Sequence, residues 1–130
     1  MIAFDTNIFI YVLNGDSQFG PAASKLLKAT QRPKMASELV FGEILASPKL
    51  QDISLQNKAL LFLNALDIQW QKINRDVLFE AAGLRRQHPN LKLVDALHIA
   101  SAIVGQAEIF FTNDQDLVHL KGVDLDIRSV

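Results

Sequence analysis

Four acidic residues carry most of the chemistry that this chain can offer. Asp5 directly follows the apolar run Met1 to Phe4, and Asp114 lies three residues after the β-rich triplet Ile109 to Phe111. Asp95 interrupts a stretch that is otherwise apolar, with Leu93, Val94, Ala96, Leu97, Ile99 and Ala100 around it. Glu43 is set among Leu39, Val40, Phe41, Ile44 and Leu45. A carboxylate facing a crowded interior is costly unless something positive compensates it. No basic residue lies close in sequence to Asp5, Glu43 or Asp114. Carboxylates gathered without partners repel, and the two remedies are protonation or a divalent cation. Oxygen ligands without sulfur or paired histidines select magnesium or manganese. Such an ion acidifies a water and offsets charge on phosphorus, so hydrolysis of a nucleic-acid backbone is the chemistry expected of an all-acid site. Each acid also has an ordinary explanation. Asp5 can cap a helix, Asn113 with Asp116 resembles a capping box beside Asp114, Asp95 suits a helix N-terminus, and Glu43 is a good helix former.

The elements that must gather these acids follow from hydrophobic spacing. Met1 to Phe4 reads as a buried strand, and Thr6 to Leu13 as a helix ending at Asn14-Gly15. Pro21 to Ala29 reads as a helix with its proline in the first turn. Lys34 to Ala36 is a brief strand, and Ser37 is the expected cap of a helix from Glu38 to Ala46. Helices are predicted at Leu55 to Leu66, Asp76 to Gln87, Val94 to Val104 and Asn113 to Leu120. Short strands are predicted within Ile68 to Ile73 and at Ile109 to Phe111, and the alternating Val123, Leu125 and Ile127 suggest a closing strand with one face covered. Strands alternating with helices imply right-handed crossovers and a mostly parallel sheet. In such folds ligands bind beyond the carboxyl ends of the strands, which is where Asp5 and Asp114 fall.

Composition narrows the function classes. At 130 residues and 49% hydrophobic, the chain is sized for one domain, 1–130, with a real core. The absence of cysteine excludes a disulfide scaffold, a thiolate zinc site and a cysteine nucleophile, and it fits a reducing cytoplasm. No apolar run reaches the ~18 residues of a membrane span, and Asp5 breaks the first one, so neither a span nor a secretory signal is expected. A net charge of −1 announces no nucleic-acid partner, although a local basic patch beside an acidic centre would average out.

The residues then point to a family. Phe4-Asp5-Thr6-Asn7, Ser37-Glu38-Leu39-Val40-Phe41-Gly42-Glu43, the run Leu93-Val94-Asp95-Ala96-Leu97-His98 to Ala102, and Phe111-Thr112-Asn113-Asp114-Gln115-Asp116 resemble the ordered motifs of PIN domains, and of VapC-type toxins in particular. The resemblance spans Met1 to Ile127. It implies a PIN-like α/β domain with a five-stranded, mostly parallel sheet flanked by helices. It also implies a Mg2+- or Mn2+-dependent endoribonuclease, the toxin of a type II toxin–antitoxin pair, with RNA as substrate, an antitoxin protein as partner and a homodimeric state. By matching motifs, Asp5, Glu43, Asp95 and Asp114 take the catalytic positions. Asp5, Asp95 and Asp114, with Asp116 as accessory, would hold the metal, and Thr6, Asn7 and Thr112 would be polar supports around the acids. Glu38 is the rival of Glu43. The motif favours Glu43 because its acid falls about two helical turns after the strand.

Other residues carry two readings each. Arg85, Arg86, His88 and Lys92 form a basic stretch before Asp95 that is either a solvated helix end or a grip on RNA phosphates. His98, three residues after Asp95, is expected to be a packed, hydrogen-bonded core residue rather than a base or ligand. Trp70 is expected in the core rather than stacked on a base. The Phe9 and Phe62 helices carry more apolar residues than one small sheet covers, which suggests a dimer or a partner peptide. Two other phosphate chemistries are disfavoured. A receiver-like phospho-acceptor domain needs a lysine in the stretch Phe111 to Asp114, and a haloacid-dehalogenase-like phosphatase needs an acid where Asn7 stands. A non-catalytic α/β module that binds a metal or a partner is the remaining alternative.

Overall fold

The computed structural model describes residues 1–130. Five strands form one sheet in the order β3-β2-β1-β4-β5, with β1 (Ile2–Phe4), β2 (Lys34–Ser37), β3 (Gln69–Gln71), β4 (Ile109–Phe111) and β5 (Asp126–Arg128). Every pairing is parallel, with Ala3 opposite both Met35 and Phe110. Seven helices cover the two faces: α1 (Thr6–Leu13), α2 (Gly20–Lys28), α3 (Leu39–Leu45), α4 (Ile53–Ala65), α5 (Arg75–Gln87), α6 (Leu93–Val104) and α7 (Gln115–Val118). None of them is long and apolar enough to cross a membrane.

Alternation along the central strands sorts the core into two layers. Phe4 and Ala36 face α1 to α4, where Ile8, Phe9, Leu27, Val40 and Leu63 pack with them. Trp70 lies in this layer, 5.7 Å from the Phe9 ring and 4.6 Å from Phe41, so the tryptophan is a packing residue as its neighbours suggest. Ala3, Met35 and Phe110 face the other way, against Val77, Ala81 and Leu84 of α5 and the alanines of α6. Small side chains on α6 let that helix lie close to the strands. Phe9 is fully buried, so the surplus of apolar surface is elsewhere, at Ile53 and Leu61 of α4 and Phe79 of α5.

Helix ends follow local chemistry. Asp5 starts α1 by accepting the Thr6 N–H, and Gly15, at φ +60°, supplies the left-handed turn that follows it. The last carbonyls of α2 are met by the buried ammonium of Lys34, which donates to Leu27 and Ala29. Asp52 accepts the Ser54 N–H, which starts α4 at Ile53, two residues before the apolar periodicity begins. Two expected caps are corrected. Glu38, not Ser37, occupies the cap position of α3, although the Ser37 hydroxyl still accepts the Leu39 N–H. Asp114, not Asn113, caps α7, because the Asn113 side chain is turned to accept the Val130 N–H. The closing strand is also shorter than the alternation implied. Val123, Leu125 and Ile127 do cover the α5–α6 layer, but only Asp126–Arg128 joins the ladder.

Candidate active site

The site is assembled over the carboxyl ends of β1, β2 and β4. Asp5 stands at its centre, 8% exposed, and both carboxylate oxygens are already held. Oδ1 accepts the Thr6 N–H at 2.7 Å, and Oδ2 accepts the Thr112 hydroxyl at 2.8 Å. That hydroxyl in turn accepts the Asp114 N–H at 3.1 Å, and Asp114 accepts the Asp116 N–H at 3.0 Å. One chain of hydrogen bonds therefore registers the end of β1 against the start of α7. Thr6 and Thr112 sit beside the acids as their motifs suggested. Asn7 does not join them: its Oδ1 is buried without a partner.

Glu43 reaches the same rim from α3. Its Oε1 accepts the Thr6 hydroxyl at 2.6 Å and is hydrogen-bonded to His98 Nε2. His98 comes from α6, on the other face of the sheet, and its Nε2 lies 3.9 Å from Asp5 Oδ1. Burial pushes the Glu43 carboxyl up, but the hydrogen bonds from His98 and Thr6 and the His98 charge outweigh it and hold the group below its ordinary range. Glu38 is exposed and none of its side-chain atoms bonds to this cluster, so the geometry favours Glu43 of the two.

Asp95, in the first turn of α6, is treated differently. Burial, followed by the charges of Asp5 and Asp114, pushes its carboxyl above the ordinary value, with only weak opposition from His98 and Lys92. Asp95, Asp114 and Asp116 line a cleft of about 610 Å³ together with Gln87, His88 and Lys92. Neither Arg85 nor Arg86 lines this cleft. The Arg85 guanidinium instead donates to the Leu91 carbonyl at 3.0 Å and braces the connector between α5 and α6. A more apolar hollow of about 380 Å³ opens at Glu43, between Leu13, Leu50 and Leu55, with Lys49 and Lys58 at its border. Those two lysines are far from the acid motifs in sequence, and nothing in their local pattern marked them.

The donor set fits a hard divalent ion. All of its acids are oxygen ligands, and burial followed by the charges of Asp5 and Asp114 raises Asp95. No three acid or histidine side chains close into a cage by themselves.

Comparison with known proteins agrees with this architecture. The family model for the PIN domain matches residues 2–123, and the chain belongs to the PIN-domain family. Its fold is shared with the toxins of VapBC toxin–antitoxin complexes. A toxin–antitoxin complex from Klebsiella pneumoniae superposes with a TM-score of 0.77 at 20% identity, covering 98% of this chain and 96% of that one. VapBC2 from Rickettsia felis, bound to a DNA fragment from its promoter, gives 0.78 at 19% identity over 99% and 98%. VapC20 from Mycobacterium tuberculosis, a toxin that cleaves the sarcin–ricin loop, gives 0.70 at 17% identity over 96% and 98%. No curated protein matches the chain in sequence.

Proposed function

We propose that this chain is a divalent-metal-dependent endoribonuclease and the toxin of a toxin–antitoxin pair. One observation carries the proposal: Asp5 and Asp114, at the strand ends, lie near enough to Asp95 on α6 that burial, and after it their two charges, push the Asp95 carboxyl upward. Family membership and the RNA-cleaving toxin among its structural neighbours give that shift a chemical meaning. Asp5, Asp95 and Asp114, with Asp116 at the cleft edge, would hold Mg2+ or Mn2+ partly through water. When bound, such an ion supplies an acidified water and offsets charge on the phosphodiester.

The rest falls to the chain itself. Glu43 is held ionised by its donors, and no hydrogen bond engages its Oε2, so that oxygen is free to take a proton from an attacking water. Lys92, which lines the same cleft as Asp95, Asp114 and Asp116, would meet an RNA phosphate. Thr6 and Thr112 keep Asp5 from turning away. The exposed apolar side chains Leu61 and Phe79 give a homodimer or an antitoxin surface to bury. Acting on RNA would place the protein in the cytoplasm.

The test is incubation of the purified protein with structured RNA, with and without Mn2+, beside Asp5→Asn and Asp95→Asn. The expected result is Mn2+-dependent cleavage that either substitution reduces to background. Equal background in all three proteins would leave a non-catalytic binding module.

A further inference from the structure

His98 is 2% exposed on α6, and its nearest neighbours along that helix are Leu97 and Ile99. A leucine would fill such a position without a polar atom to satisfy, so packing alone gives no reason for an imidazole there. What the ring does have is a partner from another layer. Its Nε2 meets Glu43 Oε1, 55 residues away, and lies 3.2 Å from the Thr6 hydroxyl. An ionised carboxylate can only accept, so the proton on this contact belongs to Nε2. The other ring nitrogen, Nδ1, is buried with no partner, so no second polar tether sets the ring's orientation. Thr6 donates to the same glutamate oxygen at 2.6 Å. Two donors from opposite faces of the sheet thus converge on one oxygen of a side chain that is otherwise 39% exposed. A glutamate at a half-open rim has several rotamers to choose among, and two donors at one oxygen select one of them.

We propose that His98 is a positioning residue of the nuclease site, which with Thr6 fixes Glu43 by Oε1 so that only Oε2 faces the substrate. This rests on the nuclease reading above. It differs from a purely structural role for the histidine, because the ring acts through Glu43 and its loss is felt only where Glu43 is at work. It also removes His98 from the set of metal ligands, since its accessible nitrogen is committed to the carboxylate.

The test uses the full chain, Mn2+ and structured RNA. His98→Leu keeps volume but removes the donor, and His98→Gln restores an N–H at similar reach. Expected results are a kcat lowered ~10- to 100-fold in His98→Leu with KM within about twofold, and recovery of most of that loss in His98→Gln. In a Glu43→Gln background, His98→Leu should add less than about a twofold further loss, because both changes break the same function. Should the leucine variant fail to fold, His98→Asn, whose shorter amide cannot reach Glu43, replaces it. Independently of activity, histidine-labelled protein without metal or RNA should show a solvent-protected Nε2–H proton that disappears in Glu43→Ala. Absence of that proton, additive losses in the double variant, or a glutamine variant no better than leucine would each overturn the positioning role alone. A wild-type protein that cuts no RNA would overturn the nuclease reading and this role together.

Discussion

The two corners of the acid rim are built on opposite electrostatic terms. At the Glu43 corner the protein supplies its own compensation: a histidine and a threonine donate to one oxygen, and ionisation is favoured in spite of burial. At the Asp95 corner burial, and after it the charges of Asp5 and Asp114, oppose ionisation. Glu43 receives two hydrogen bonds that, with the His98 charge, outweigh its burial, whereas the charges of His98 and Lys92 do not outweigh that of Asp95. On the nuclease reading proposed above, the difference would divide the labour between Glu43 as proton acceptor and Asp95 as a ligand for a cation.

The largest expected effect would break this division outright. Asp95→Asn should remove Mn2+-dependent cleavage and weaken Mn2+ binding ~10-fold or more, read by calorimetry on the RNA-free protein. Glu43→Gln should lower cleavage by ~10²-fold while Mn2+ affinity stays within about threefold. If both variants lose metal to the same degree, the two corners are one ligand set and the contrast is wrong.

Smaller and opposite effects should appear in the stability of the metal-free protein. Asp95 has a folded-state value raised above its reference of 3.8, so its charge destabilises the fold at neutral pH. Asp95→Asn is therefore expected to raise Tm by ~2 °C at pH 7, a partial figure because the group is partly solvated. That gain should shrink as pH falls through the raised value and vanish below the reference. Glu43 has the reverse sign. Its lowered value contributes stability above its reference of 4.5 and loses it as pH falls through the folded value. Glu43→Gln should lower Tm slightly at pH 7, with the difference closing in acid. Thermal melts across pH 3 to 7 would show whether the two curves diverge as described.

The smallest effect concerns the lysine that lines the acid cleft. Lys92→Ala should raise the KM for RNA a few-fold, leave kcat nearly unchanged, and reduce the slope of log affinity against log salt by about one. A fall in kcat instead would mean that Lys92 serves Asp95 rather than the substrate.

Much of this frame was legible in the residues. Asp5 and Asp114 follow strands whose apolar character is plain, and the parallel order of those strands forces both acids to one edge. The α6 acid was visible as a break in an apolar run. Local capping was read less well, because Asn113 and Ser37 have the right side chains for caps and only their tertiary partners decide against them. Val123 and Leu125 show the limit of periodicity: their alternation reports which face is covered, while the hydrogen-bonded ladder extends only to Asp126. His98 was recognisable as a buried, bonded histidine. Its partner was not, since the fold delivers Glu43 from another helix, 55 residues away. Arg85 holds a contact that spacing did not show, its Nε donating to the Leu91 carbonyl in the connector after α5.

The outer strands of the sheet have a consequence for assembly. β3 and β5 are three residues each, Gln69-Trp70-Gln71 and Asp126-Ile127-Arg128, with polar or charged side chains at both ends and an Asp126–Arg128 ion pair along β5. Borders this short and this hydrophilic give an incoming backbone little to zip onto. The sheet edges therefore offer poor sites for strand addition, and the larger exposed apolar side chains, Leu61 and Phe79 among them, lie on helices.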